Sequence, residues 1–495
     1  MNFDLNIDYC SICLIFPLLM YFYASIFRLK GDKCKKVITY GVLAGLLTNV
    51  ILFMIKEEAT DNKIYIFNGL IWFMSFIIHK YSWNYLEGNK QSESYFKNLL
   101  LTTIFLSLSI LSDNILAISV FLFVANLLFS NLMKHKTSLK GALIGANYFL
   151  LLSLFSHLCI LIASCIFKFS LNTFAINEII KHSFNNSNII TIALAFITLG
   201  AIAQASLWPF HKYLLSSLNS MTTVSAFMHA GLINAGGILI IKLYPLFEQS
   251  SVNLNFLFIF GLISVVVGTL LKLVQSSVKK ILASSTIAQL GFMFMQLGLG
   301  LYAAAFLHIL FHSLFKGYLF LNSNNLNEGK VNKEFGQLTF KRITFALLIS
   351  VSATIIFANQ SSYDLFFENT SSIQTLIIFI TAFHLSLGWI ENNNLVFSSL
   401  VSALKIMPLA GFYGFFIHVL ETNLLNTNII TTTPINNVHW IFTTLIVIFT
   451  PLVNFRLFEK NEVLKKLYDR MWVIIINMGA SKPKSSTPLR ADINL

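Results

Sequence analysis

Charged residues are scarce in this chain. Asp, Glu, Lys and Arg make up 11% of its 495 residues, where soluble domains carry about 25%. With 56% hydrophobic residues and a mean hydropathy of +0.72, that shortage excludes a soluble globular enzyme. Cysteine is scarce too, with five residues at Cys10, Cys13, Cys34, Cys159 and Cys165. Cys10 and Cys13 form a C-x-x-C, but it lies in an apolar helix start without a second pair, so both are expected to be small packed side chains. There is no H-E-x-x-H and no P-loop, and the Gly-Leu-Gly at 298–300 lies in an apolar helix and not at a strand-to-helix turn. No carboxylate pair falls inside an apolar window, and no set of three Cys, His or Asp ligands has a suitable context. No cofactor and no metal is therefore expected in this chain, and no catalytic residues.

Long apolar windows are abundant instead. They recur at 9–28, 38–55, 64–79, 98–112, 114–132, 141–167, 188–208, 222–246, 254–275, 286–300, 302–321, 341–358, 371–389, 395–420 and 437–456, mostly near the roughly 17–25 residues that span a bilayer. The fold class is thus an all-α polytopic membrane protein with about 13–15 transmembrane helices. The first window lacks a basic n-region and a small-residue cleavage site, so it reads as a retained helix. The net charge of +13 invites a nucleic-acid partner, but the basic residues sit in short loops, where membrane orientation accounts for them. RLKGDKCKK, KHKTSLK, SSVKK and FRLFEKNEVLKKLYDR all follow odd-numbered windows. That bias predicts an N-terminus outside and a C-terminus in the cytoplasm. The partners expected on these grounds are the lipid bilayer and protons, with no nucleic acid.

The organisation expected is a single transmembrane domain over 1–495: N-terminal helices at 1–97, two halves at 98–246 and 254–420, and a C-terminal helix and tail at 421–495. Polar groups inside apolar windows concentrate between about 188 and 321. Such groups are expensive in a membrane and are functional candidates by default. His308, His312 and Lys316 are spaced i, i+4, i+8 and share one helix face. Three unrelated cations buried together would be uncompensated, so a hydrated file that passes protons is the better reading than packing. Histidine titrates near neutrality and suits it. Ser225 and His229 are i, i+4 neighbours on the helix after the polar run HKYLLSSLNSMTT. Pro209 and that run predict a broken or bent segment, with an ordinary loop over 211–221 as the competing reading. Ser285 and Gln289 can hydrogen-bond across helices. Lys272 lies near a window end and is a path candidate for which snorkelling to the interface is the favoured reading, and Lys279 and Lys280 read as loop charges. Lys405, midway along its window and three residues before Pro408, is assigned to the path, while His384 and His418 are left as packing residues.

The ordered motifs W-P-F-H-x-x-L, V-S-A-F-M-H-A, V-K-K-I-L-A-S-S-T-I-A-Q-L-G-F-M and H-I-L-F-H-S-L-F-K resemble those of the antiporter-like proton-translocating subunits shared by respiratory complex I and the Mrp cation/proton antiporters. SSLNS before the V-S-A motif and MHAGLINAGG after it look most like the DabB-type subunits of the DAB inorganic-carbon transporter. The match is dense over about 188–321 and weak outside it. The resemblance implies an antiporter-like bundle of two inverted repeats, each with a broken helix, in a bacterial inner membrane. It implies that His229, His308, His312 and Lys316 are proton-path residues, and that a large zinc-binding DabA-like subunit resembling β-carbonic anhydrase is the partner. One departure stands out. Gln204 occupies the position of the broken-helix lysine of the complex I relatives, and Val124 and Asn126 stand where they carry a buried glutamate. The functional expectation is a proton-conducting subunit of an energy-coupled CO2/bicarbonate uptake complex, a transporter subunit with any hydration chemistry in the partner. Its rival is a proton-translocating subunit of a complex I-like NADH dehydrogenase or a multi-subunit cation/proton antiporter.

Overall fold

The computed structural model describes residues 12–55, 59–89, 91–134, 140–182, 187–323, 339–366, 369–391, 393–423 and 434–444. Regular structure among them is helical, with isolated β-bridges at Asn114 with Ala175 and Asn369 with Pro434. In chain order the helices are α1 (Ile12–Ile26), α2 (Gly31–Ile55), α3 (Ala59–Tyr85), α4 (Ser92–Leu111), α5 (Ile115–Met133), α6 (Lys140–Leu171), α7 (Ile176–His182), α8 (Ser187–Gln204), α9 (Lys212–Ser216), α10 (Thr222–Ala230), α11 (Ala235–Lys242), α12 (Tyr244–Phe247), α13 (Ser251–Val274), α14 (Val278–Gly298), α15 (Tyr302–Leu321), α16 (Phe340–Ser361), α17 (Ser371–Trp389) and α18 (Leu395–Asn423). Eleven described spans are long and apolar enough to cross a membrane, the α10–α11 pair counting as one, and two shorter apolar helices lie at Cys13–Ile26 and Asn188–Gln204. The membrane class expected from composition is what the fold is. Cys10 and most of the window at 437–456 lie outside the described residues, as does the polar tail.

The chain forms two compact units. Among the described residues, one comprises those within 12–298 and 308–323; the other comprises those within 299–307 and 339–444. In the first unit, the closely spaced windows at 98–112 and 114–132 are separate helices. Asn114 ends the short turn between α4 and α5 and caps α5, its side-chain oxygen accepting from Ala117 N at 3.1 Å. The exposed carbonyls at the end of α4 are met by Lys242, whose Nζ donates to Ile110 O at 2.8 Å and Ser112 O at 2.5 Å. α13 and α14 pack at backbone contact through glycines on both helices. A Cβ on Gly261 would lie 2.6 Å from Gly291 O, and one on Gly298 would lie 2.4 Å from Phe258 N. Without a hydrophobic effect between helices in lipid, such close approach supplies the packing that holds them.

In the second unit, α16, α17 and α18 pack together. The buried Arg342 of α16 donates to Leu387 O on α17, and Tyr363 after α16 donates to Glu421 Oε1 on α18 at 2.9 Å. Thr339 caps α16 by accepting from Arg342 N.

One correction concerns Lys279 and Lys280. They are not loop charges, because α14 begins at Val278 and carries both in its first turn. Lys279 Nζ donates to Thr222 Oγ1 at 2.8 Å, tying the start of α14 to the start of α10.

Candidate functional site

The site grows from one face of α15 laid against one face of α14. Leu282, Ser285, Gln289 and Gln296 recur at helical spacing along α14 and meet the i, i+4, i+8 series of α15 in antiparallel order. His308 Nδ1 lies 3.1 Å from Gln296 Oε1, and His312 Nδ1 lies 3.1 Å from Gln289 Oε1. Lys316 Nζ donates to Ser285 Oγ, and to Leu282 O at 3.3 Å. Each of His308, His312 and Lys316 therefore has a neutral partner on α14. With a carboxamide oxygen as acceptor, Nδ1 of each imidazole carries the hydrogen and Nε2 keeps its lone pair. His312 Nε2 is buried with no hydrogen-bond partner among the described residues. The rings of His308 and His312 are 6.0 Å apart. His312 is 4% exposed and Lys316 is 1% exposed, so Lys316 Nζ is held by neutral oxygens in an apolar surround, the circumstance in which ionisable groups in membranes serve function.

His229 joins this file from α10. Its ring stacks on Phe320, one helical turn beyond Lys316, with centroids 4.1 Å apart and planes 13° from parallel. It is fully buried, and neither ring nitrogen has a hydrogen-bond partner among the described residues. Ser225, one turn earlier on α10, is also buried, with its hydroxyl 3.4 Å from that of Ser220.

The segment carrying His229 is broken twice. α8 ends at Gln204, and the chain then turns through Ser206 and a cis Trp208–Pro209 bond into the short α9. The loop reading of 211–221 does not hold. His211, Tyr213, Leu214, Ser217 and Ser220 are all buried, and Tyr213 OH donates to the end of α8 at Gln204 O, 3.1 Å away. The sequence reading missed the second break. α10 stops at Ala230, a single turn spans Leu232–Asn234, and α11 resumes at Ala235. Its signal was Asn234, two residues before the paired glycines at 236 and 237, in an otherwise apolar window.

A break inside a membrane is tolerated where its freed backbone groups find partners, and here side chains supply them. Gln204 Nε2 donates to Leu232 O at 3.1 Å, and Asn234 Nδ2 donates to Ala230 O at 3.2 Å and to Ser313 Oγ at 2.8 Å, next to His312. Gln204 also pairs with Asn126 of α5: Asn126 Nδ2 donates to Gln204 Oε1 at 2.9 Å, with a longer return contact of 3.4 Å. Two of the three residues singled out in the sequence as lacking charge thus meet as a neutral amide pair.

Lys405 is placed differently from the sequence expectation, and Lys272 is placed as its favoured snorkelling reading has it. Leu271 and Gly268 form the buried face of α13 there, which turns Lys272 outward to an exposed position. On α18, Ser402, Ile406 and Ala410 form the buried face, and Lys405 is exposed with its ammonium 5.1 Å over the Trp389 ring. That is a cation–π contact at a helix terminus, and it lies in the second unit. Gln296, which sequence reasoning did not select, holds His308; its signal is that it falls seven residues, two helical turns, after Gln289.

Comparison with known proteins places this arrangement. Residues 112–356 match the family described as NADH:quinone oxidoreductase/Mrp antiporter, TM. The chain is 30% identical over 263 residues to the probable inorganic carbon transporter subunit DabB2 of Halothiobacillus neapolitanus, covering 52% of this chain and 48% of that protein. It is 30% identical over 342 residues to NADH-ubiquinone oxidoreductase chain 5 of Schizophyllum commune, covering 63% of this chain and 48% of that one. The chain thus spans about half the length of the curated relatives it matches. In fold it is similar to a chain of the Mrp complex from Dietzia sp., with a TM-score of 0.62, 16% identity, and coverage of 94% of this chain and 58% of that one.

Proposed function

The chain belongs, through residues 112–356, to the NADH:quinone oxidoreductase/Mrp antiporter membrane family, and on that premise we propose that it is the proton-conducting membrane subunit of an inorganic-carbon uptake complex. The observation that carries the reading is the file of His308, His312 and Lys316, each matched to an uncharged partner on α14. In this mechanism a proton on His308 passes to the open Nε2 of His312, whose Nδ1 hydrogen is held by Gln289, and then to Lys316. His229 takes it on beyond Lys316. Gln and Ser partners orient the donors without neutralising them, so no carboxylate traps the proton along the way.

Similarity to DabB2 and its kin supports inorganic carbon as the cargo. The proposed partner is a large zinc-binding DabA-like subunit that performs the hydration of CO2, with this chain supplying the proton-driven step. Bacterial relatives support a bacterial inner membrane, and the basic residues that follow odd-numbered windows, Lys279 and Lys280 in the first turn of α14 among them, support an N-terminus outside and a C-terminus in the cytoplasm.

The test is growth. Cells lacking carbonic anhydrase and expressing the chain with its partner should grow in ordinary air, and His312→Ala combined with Lys316→Ala should abolish that growth. Rescue that survives the double substitution refutes the file.

The rival reading, a subunit of a complex I-like dehydrogenase or a cation/proton antiporter, shares this scaffold. The neutral Gln204–Asn126 pair weighs against it, since a lysine–glutamate switch in that half is what the sequence resemblance to complex I subunits would require. Genes for quinone-reducing or antiporter subunits beside this one would favour the rival; a gene for a large zinc-site protein would favour carbon uptake.

A further inference from the structure

The second break, between α10 and α11, has a chemistry of its own. In an uninterrupted helix the N–H of Asn234 would donate to Ala230 O. Here it donates to Gly231 O at 3.1 Å, closing the tight turn over Leu232–Asn234, and Gly231 leaves helical dihedrals with φ −130° and ψ −71°. Ala230 O is met instead by the side chain of the same residue, with Asn234 Nδ2 at 3.2 Å. Asparagine at 234 thus replaces with its side chain the bond that its backbone gives up. An apolar side chain there has only the backbone N–H to offer to Ala230 O, and that bond belongs to the straight helix.

The same amide reaches across to α15. Asn234 Nδ2 donates to Ser313 Oγ at 2.8 Å, and Ser313 Oγ donates to Ile309 O at 2.7 Å. Contacts on either side of Asn234 keep one antiparallel register. His229 stacks on Phe320, a Cβ on Gly317 would lie 3.5 Å from Ala230 Cβ, and a Cβ on Gly237 would lie 3.4 Å from Ile309 Cδ1. These contacts bracket Lys316. Residues five apart on a straight α-helix point about 140° away from each other, yet His229 and Asn234 both meet α15, at Phe320 and at Ser313. The break at Gly231 allows it. No hydrogen bond among the described residues holds the His229 ring, so its place beside the Lys316 turn depends on where α10 itself is held.

We propose that Asn234 is a positioning residue for the proton hand-off between Lys316 and His229. It selects the broken form of the α10–α11 segment and pins that segment to α15 at Ser313, and the pin sets the imidazole of His229 against the turn that carries Lys316. The proposal rests on the proton-conducting reading of the file. In the hand-off a proton leaves Nζ of Lys316 and bonds to a ring nitrogen of His229. Asn234 carries no proton in that exchange.

The experiment measures proton flux with a pH-sensitive dye in membrane vesicles from cells that express the full chain with its partner subunits. Asn234→Leu removes both side-chain bonds and favours the straight helix, and Ser313→Ala removes only the α15 end of the pin. Asn253→Leu is the matched control. Asn253 is likewise a buried asparagine whose Nδ2 donates to a backbone carbonyl, Thr191 O at 3.0 Å, and to a serine hydroxyl, Ser250 Oγ at 2.9 Å, but at the joint of α13 with α8. The expected result is that Asn234→Leu and Ser313→Ala each lower flux per folded protein by about tenfold, within the roughly 100-fold that a misplacement of about 1 Å can cost. Both should raise the solvent deuterium isotope effect, because the hand-off becomes the slow step. Asn253→Leu should leave flux and isotope effect unchanged. On a His229→Phe background, which keeps the stack on Phe320 and cannot take the proton, Asn234→Leu should lower flux no further. Wild-type flux in Asn234→Leu and Ser313→Ala, with flux lost in His312→Ala combined with Lys316→Ala, overturns the positioning role and leaves the file standing. A further tenfold loss on the His229→Phe background, or equal losses in Asn234→Leu and Asn253→Leu, shows general destabilisation and overturns it too. Wild-type flux in the variant carrying His312→Ala and Lys316→Ala overturns the file and the positioning role together. If Asn234→Leu does not accumulate in the membrane, Ser313→Ala, alone and on the His229→Phe background, decides by the same criteria.

Discussion

The neutral pair of Gln204 and Asn126 makes a quantitative prediction about the broken helix. Replacing Gln204 by Leu keeps most of the side-chain volume and removes the 2.9 Å bond from Asn126 and the 3.1 Å bond to Leu232 O. The 3.4 Å return contact is too long to count for much. Side-chain hydrogen bonds in membrane interiors average about 0.6 kcal/mol, and leaving the buried Asn126 amide without its Gln204 partner costs about 1–3 kcal/mol more, while Leu232 O keeps its bond from Ala235 N. The sum for Gln204→Leu is about 2–4 kcal/mol. Asn126→Leu should cost less, because it strips Gln204 of one partner while the bond to Leu232 O survives. The double variant should cost less than the two single variants added together, with a coupling of about 0.5–1.5 kcal/mol, since the second substitution removes a group the first has already orphaned. The assay is equilibrium unfolding in detergent micelles, followed by loss of helical signal. If Gln204→Leu shifts stability by less than about 0.5 kcal/mol, as ordinary surface substitutions do, or if the cycle is additive, the amide pair does not support the break and this account of Gln204 is wrong.

Other consequences follow from the same contacts. A Cβ on Gly291 would lie 2.7 Å from both Gly261 O and Val265 N, so Gly291→Ala should destabilise the α13–α14 pair by about 1–3 kcal/mol; Gly388→Ala, which meets nothing within 4 Å, is the control in the same thermal-unfolding measurement. Gln289→Leu removes the partner of His312 Nδ1 and should lower proton flux in vesicles about tenfold, the size of effect expected from misorienting a proton-transfer group, without loss of folded protein. On a cysteine-free background, a single cysteine at Lys30 should react with an impermeant thiol reagent only from the cytoplasmic side, and one at Asn172 only from the outside; the reverse pattern refutes the orientation drawn from the basic loops.

What could be read in the sequence was whatever depends on periodicity along one element. Apolar windows located the helices because spanning length and hydrophobicity act locally, and the i, i+4, i+8 series placed His308, His312 and Lys316 on a common face because helical spacing alone fixes it. The i, i+4 relation of Ser285 and Gln289 likewise foretold their use across helices. Pairings between distant elements were out of reach. Nothing local to His308 points to Gln296, and nothing near Gln204 points to Leu232 O. Lys405 was misjudged because depth along a helix says nothing of which way a side chain faces; that is decided by the buried face at Ser402, Ile406 and Ala410. The second break escaped notice because a run of small and apolar residues, HAGLINAGG, keeps its hydropathy through a change in backbone path.

The most direct measurement of the central claim is proton flux in vesicles carrying the full chain with its partner subunits, comparing wild type with His312→Ala combined with Lys316→Ala. A conducting file predicts that flux falls by about 100-fold or more while the protein remains in the membrane at its normal level. Wild-type flux in the double variant would contradict it.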